Sequence, residues 1–201
     1  MVEYSIFKVK MEKRKKLNII DAAQELFGRF GFIKTTVDDI AKAARMGKAT
    51  IYHYFKGKEY IYKEVVEKES NILNEKINEA IKKEISPQKK LKAFVLTRMQ
   101  YLNELTNLYS ALKDEFLKGY DFIEKIREMD FNREIEIIKG ILKEGIEKKI
   151  FSIRDLKLTA FVILAALKGL EYPWSEKVPV PELERNVEKL LEILFKGILR
   201  R

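Results

Sequence analysis

Three observations predict an all-α protein built from a small basic N-terminal unit and a larger helical domain. Apolar residues recur at helical spacing along almost the whole chain. No run alternates in the manner of a half-buried strand, and no Asn-Gly turn joins two apolar runs. The charge is also uneven. Of a formal +9, residues 1–62 hold +6, from 13 basic and 7 acidic side chains, and residues 63–201 hold the other +3. The expected division is therefore residues 1–60 and residues 61–201, and 46% hydrophobic residues is enough for both to bury a core.

The elements follow in order. Ile19, Ala23, Leu26 and Phe30, widened by Ile20 and Phe27, form the apolar stripe of a first helix, and Gly31 stands where a left-handed cap would end it. Thr36-Val37-Asp38-Asp39 is a capping-box pattern with Thr36 as N-cap, opening a short second helix through Ala44. Arg45 to Gly47 supply a turn, and Lys48 to Phe55 make a third helix with Ile51 and Phe55 one turn apart on one face. Three helices this short bury little by themselves, so something larger must support them. From Lys58 a longer helix runs to about Ile85, and Ser86-Pro87 reads as the N-cap and first turn of the next. Further breaks are expected near Asn103 to Thr106, at Gly119-Tyr120, at Ile150 to Ile153 and from Pro173 to Pro181.

The composition removes several function classes. With no cysteine there is no disulfide, thiolate metal site or cysteine nucleophile. His53 is the single histidine, which excludes multi-histidine metal cages and weakens a hydrolase triad. No glycine-rich phosphate loop, nucleophile elbow or helical zinc motif appears. We expect no enzyme, no cofactor and no metal. The most apolar run, Leu158 to Leu167, is about half of the ~20 residues that span a bilayer. The expectation is a cytoplasmic chain without a membrane partner.

Residues Ile40 to Phe55 have the pattern of a helix-turn-helix. Ile40, Ala41 and Ala44 would pack the second helix on the first, and Ile51 and Phe55 would anchor the third. That leaves Lys48, Ala49, Thr50, Tyr52, His53 and Tyr54 facing outward. The set suits DNA, since Lys48 is cationic, Thr50 and Tyr52 hydrogen-bond or touch a thymine methyl, and Ala49 permits close approach. Taken singly, Tyr52 and Tyr54 read equally well as packing aromatics. Lys8, Lys10, Lys13, Arg14, Lys15 and Lys16 form either a solvated arm or one that follows phosphates.

Thr36-Val37-Asp38-Asp39-Ile40-Ala41-Lys42-Ala43-Ala44, Lys48-Ala49-Thr50-Ile51-Tyr52-His53-Tyr54-Phe55 and Lys58-Glu59 resemble the tetracycline-repressor (TetR) family of bacterial regulators. Ile20 to Phe27 and Gly31-Phe32 resemble that family's first helix and its end. The motif resemblance covers about residues 17–60, and beyond it only the helix layout is similar. It implies a dimeric repressor that leaves a double-stranded DNA operator when a small ligand binds the larger domain. By position it implies base-facing roles for Lys48, Ala49, Thr50 and Tyr52, and phosphate contacts for Thr36, His53, Tyr54 and Lys58. Two positions depart from the pattern: Arg45 stands where glycine is usual, and Gly47 where serine caps the recognition helix. Arg45 is then either strained in a left-handed turn or an additional phosphate contact.

In the larger domain, Leu158 to Leu167 is apolar nearly all round. Leu183, Val187, Leu190, Leu191, Leu194 and Ile198 make a wide stripe on the last helix. Ala160, Ala165, Ala166 and Gly169 allow close helix approach. The last two helices either pair with their symmetry mates as a homodimer four-helix bundle or complete a monomer core. Met99, Tyr101, Leu102, Tyr109, Phe116, Phe122, Met129, Phe161 and Trp174 are the candidates for an apolar inducer pocket, most of them doubling as core. The alternative function is an architectural or interaction protein of the same fold that binds DNA without an inducer.

Overall fold

Local capping chemistry at Thr36, Ser86 and Asp155 sets the starts of three helices. The structure is a computed structural model describing the backbone of residues 2–102, 104–114, 117, 120–175 and 180–198, and their side chains except at 2–5, 102, 113, 170–175, 180, 181 and 198. Among the described residues the order is α1 (Val2–Lys34), α2 (Val37–Ala43), α3 (Lys48–Tyr54), α4 (Lys58–Lys82), α5 (Pro87–Leu102), α6 (Thr106–Lys113), α7 (Asp121–Glu147), α8 (Leu156–Ser175) and α9 (Val180–Ile198).

Gly31 takes φ 79° and ψ 163°, a conformation open to glycine, and kinks α1. The kink turns Phe32 inward against the rings of Phe27 and Tyr62. Thr36 caps α2: its hydroxyl accepts from the Asp39 amide at 3.2 Å, and the Asp39 carboxylate accepts from the Thr36 amide at 3.0 Å. The Thr36 hydroxyl also donates to the Asp39 carboxylate, and this bond, with that from the Thr36 amide, holds the Asp39 carboxyl below its ordinary value. Ser86 caps α5 by accepting from the Lys89 amide at 3.3 Å, with Pro87 in the first turn. Asp155 caps α8 through the Leu158 amide at 2.9 Å. Helix α8 continues to Ser175, two residues past Pro173, where the sequence predicts a break. A proline that close to a C-terminus removes one hydrogen bond from the last turn without ending it. Gly145 is required by close approach, because a Cβ there would lie 2.0 Å from the Phe151 ring.

By internal packing the chain forms two units. The first comprises residues 1–70 and 106–126, the second residues 71–105 and 127–201. In the first, Ile19, Ala23 and Phe27 of α1 share a core with Ile40 of α2, Ile51 of α3, Ile61, Val65 and Val66 of α4, and Leu108 of α6. The support that three short helices needed thus comes from the first half of α4, from α6 and from the start of α7. A buried carboxylate binds these parts together. Glu69 accepts from Gln24 at 2.8 Å, from Asn107 at 2.7 Å and from the Leu108 amide at 2.8 Å. In the second unit Leu91, Phe94 and Val95 of α5, Ile138 and Leu142 of α7, Leu164 of α8 and Val187 of α9 form the core.

Candidate nucleic-acid interface

Helix α3 is seven residues long and its N-cap, Gly47, offers no side-chain hydrogen bond. It is held instead by burial of Ile51 and Phe55. With those two fixed inward, Lys48, Ala49, Tyr52 and His53 are exposed, and Thr50 and Tyr54 are half-buried. Lys48 and Tyr52 form one ridge and Ala49 and His53 the next, each pair four residues apart.

The turn before α3 has a defined geometry. Arg45 sits at φ 54°. Its amide donates to the Lys42 carbonyl at 3.1 Å, and the Met46 amide donates to the Ala41 carbonyl at 2.9 Å. This pair of bonds is a Schellman motif, in which the left-handed position normally belongs to glycine. Arg45 holds it with its side chain exposed.

Several side chains implicated in DNA contact are engaged within the protein. Lys48 donates to Asp38 at 3.0 Å, which raises its pKa, although both groups are exposed. The Tyr54 hydroxyl donates to Glu12 on α1; this hydrogen bond pushes the phenol up to about 12 and lowers the Glu12 carboxyl. Lys58 donates to the carbonyls of Phe32 at 2.8 Å and Ile33 at 3.3 Å and lies over the Phe32 ring. There it caps the end of α1, and burial lowers its pKa. The Thr36 hydroxyl donates to Asp39 at 2.6 Å. His53 meets the edge of the Tyr54 ring, with centroids 5.1 Å apart, and is otherwise open. Among the described residues the outward side chains of Tyr52, His53 and Arg45 make no hydrogen bond or ion pair.

The inducer candidates fall into separate places. In the second unit Met99 is buried, Tyr101 is half-buried with Lys76 over its ring, and Met129 and Phe161 are exposed. In the first unit Tyr109 and Phe122 are half-buried, and Phe122 packs on the rings of Phe32 and Tyr62. Phe116 and the side chains of Leu102 and Trp174 lie outside the described residues. None of the candidates lines either of two open grooves on the first unit.

On α8 Leu158, Phe161 and Val162 are each about half-exposed or more, and the small residues Ala165, Ala166 and Gly169 beside them are exposed too. On α9 Leu183, Val187 and Leu191 are buried within the unit, leaving Ile193 as its large exposed apolar residue.

Sequence reasoning passed over a buried charge cluster. Arg98 of α5 donates to Glu134 of α7 at 2.6 Å, both almost without solvent. Asp130 is buried one turn before Glu134, and Lys168 of α8 sits over the Phe131 ring with its pKa lowered by burial. The available signal was position: Ile126, Asp130, Glu134 and Ile138 recur every fourth residue, placing two carboxylates in the core-facing row. Among the described residues no cluster of His, Asp or Glu could hold a metal ion, and no helix is long and apolar enough to cross a membrane.

Comparison with known proteins places these features. Residues 19–65 match the model of the bacterial regulatory proteins of the tetR family. The fatty acid metabolism regulator protein of Bacillus subtilis is 28% identical over 192 residues, covering 94% of this chain and 98% of its own. The regulator QacR of Staphylococcus aureus is 26% identical, over 91% of this chain and 97% of its own. Among solved structures, the transcriptional regulator FadR of Bacillus subtilis in complex with stearoyl-CoA superposes with a TM-score of 0.73 at 27% identity. It covers 87% of this chain and 96% of that one.

Proposed function

Because this chain belongs to the tetR family and is a DNA-binding transcriptional regulator rather than an enzyme, we propose that it acts as a cytoplasmic dimeric repressor, freed from a pseudo-palindromic operator by a small apolar ligand. Residues 1–60 carry the DNA-reading part, and residues 61–201 the ligand site and the dimer surface. Lys48, Ala49, Thr50 and Tyr52 face the bases; Thr36, Arg45, His53, Tyr54 and Lys58 meet phosphates. The observation that carries the reading is α3 itself. Ile51 and Phe55 anchor it, and the ridges of Lys48 and Tyr52, Ala49 and His53 stand free to enter a major groove. Lys48 exchanges Asp38 for a base or phosphate on binding, at little cost because the pair is solvent-exposed.

The homodimer is built on the exposed apolar face of α8 with α9 beside it. Full-length likeness to a regulator that binds stearoyl-CoA supports a long-chain acyl thioester as the first ligand to test. Such a ligand acts only through its different affinities for the DNA-bound and free states.

The test selects duplexes from a random pool with the full-length protein and measures binding with stearoyl-CoA or free coenzyme A added. A two-fold-symmetric site, release by the acyl thioester and none by coenzyme A are expected. Tyr52→Ala should lower the preference for the selected site by roughly tenfold or more, on the scale of 1–3 kcal/mol per base contact. Failure to enrich any site, or an unchanged preference in Tyr52→Ala, would remove α3 from the reading role.

A further inference from the structure

We propose that the N-terminal turns of α1 form a second DNA-contacting element, a stripe of Lys10 and Arg14 continued by Arg45, which grips phosphates flanking the base pairs read by α3. This rests on the DNA-binding reading above and extends its surface.

Helix α1 runs without a break from Val2 to the kink at Gly31, so it begins well before the core, whose first fully buried residue is Ile19. Two hydrogen bonds fix how this extension is turned. Asn18 donates to the Ala44 carbonyl at 3.2 Å, at the end of α2. Glu12 accepts from Tyr54 at the end of α3. Lys10, Arg14 and Asn18 are four residues apart and share a face. The face that Asn18 lays against the turn is therefore the one that carries Arg14 and Lys10 outward from it. Arg45 follows Ala44 directly and is exposed. Arg14 and Asn18 also line an open groove with Met46 of the same turn.

Among the described residues the first turns of α1 stand largely open to solvent. Ile6, Phe7 and Val9 are at least half-exposed. Exposed apolar side chains on a helix leave room for a partner. Charge identifies it. Residues 8–16 carry six basic side chains against the single acid Glu12, which Tyr54 already engages. A lipid or protein partner would need a continuous apolar stripe, whereas at helical period Lys10, Lys13 and Arg14 fall among Ile6, Phe7 and Val9 on the same side of the helix. A polyanion fits, and the neighbouring recognition helix makes it the same duplex.

The experiment measures binding of the full-length protein to a random-sequence duplex by fluorescence anisotropy across a salt series. Lys10→Gln, Arg14→Gln and the off-stripe control Lys13→Gln are compared with the parent, with helical content checked by circular dichroism. Each stripe substitution should reduce the slope of log affinity against log salt by about 0.9 for each phosphate that is no longer neutralised. At physiological salt the double substitution should weaken binding roughly tenfold, with the preference for the selected site unchanged. An unchanged slope, or an equal reduction from Lys13→Gln, overturns the stripe while the α3 reading stands. If the parent protein binds no duplex, it is the α3 reading that fails.

Discussion

Arg98 and Glu134 meet at 2.6 Å where water hardly reaches either group. A buried pair of this kind adds little net stability but is costly to break, because one charge is then left uncompensated. Glu134→Gln removes the buried carboxylate to which Arg98 donates and should lower stability by about 1–3 kcal/mol, seen as a melting temperature lower by several degrees; an unchanged melting temperature would mean that the pair adds nothing to stability. The row from Ile126 to Ile138 shows how far sequence reaches at this scale. It places Asp130 and Glu134 on the inner face of a helix. Glu134 meets its partner Arg98 from far away in the chain, and no spacing rule brings that residue to it. The same division holds on the recognition helix. The inward set of Ile51 and Phe55 follows from helical period, but the ties of Lys48 to Asp38, Tyr54 to Glu12 and Lys58 to the end of α1 cross between elements.

The termini of the helices were the most legible elements. Thr36 and Ser86 cap α2 and α5 through side-chain chemistry that acts within three residues, and such chemistry is visible in any sequence. The two Schellman ends are different. Arg45 and Lys149 occupy the left-handed position at φ 54° and 59°, and neither is the glycine that would announce it. Arg45→Gly should raise stability by about 1 kcal/mol, since an L-residue pays roughly that much in the left-handed region. Lys149→Gly should raise it equally by differential scanning calorimetry, and Arg45→Gly alone should also lower the salt slope of DNA binding. Loss of stability in both variants would mean that the side chains, rather than backbone relief, decide these turns.

At the scale of the molecule, +6 of the charge lies in residues 1–62; under the proposed function it acts as long-range attraction to DNA, and the outward side chains of α3 select the site. In the proposed homodimer the exposed apolar face of α8, with Leu158, Phe161 and Val162, would supply the two-fold symmetry of the operator. Val162→Arg, placed in that exposed face, should convert the dimer to a monomer by sedimentation. Operator affinity should fall about a hundredfold or more, because two linked half-site contacts become one. A dimer that persists would move the interface away from α8.

The sequence by itself determined an all-α chain, the starts of α2 and α5, the inward and outward faces of the helix-turn-helix and the N-terminal placement of the charge. These follow from periodicity and from hydrogen bonds between near neighbours. Tertiary structure alone decided which surfaces remained available. It consumed the Leu183, Val187 and Leu191 stripe of α9 in the core, left Phe161 and Val162 of α8 exposed, and bound Lys58 to the end of α1. It also carried α1 back through the basic arm and tied Glu12 of that arm to Tyr54 of α3. The physical reason is that burial and ion pairing join residues far apart in the chain, and local sequence has no record of which partners meet.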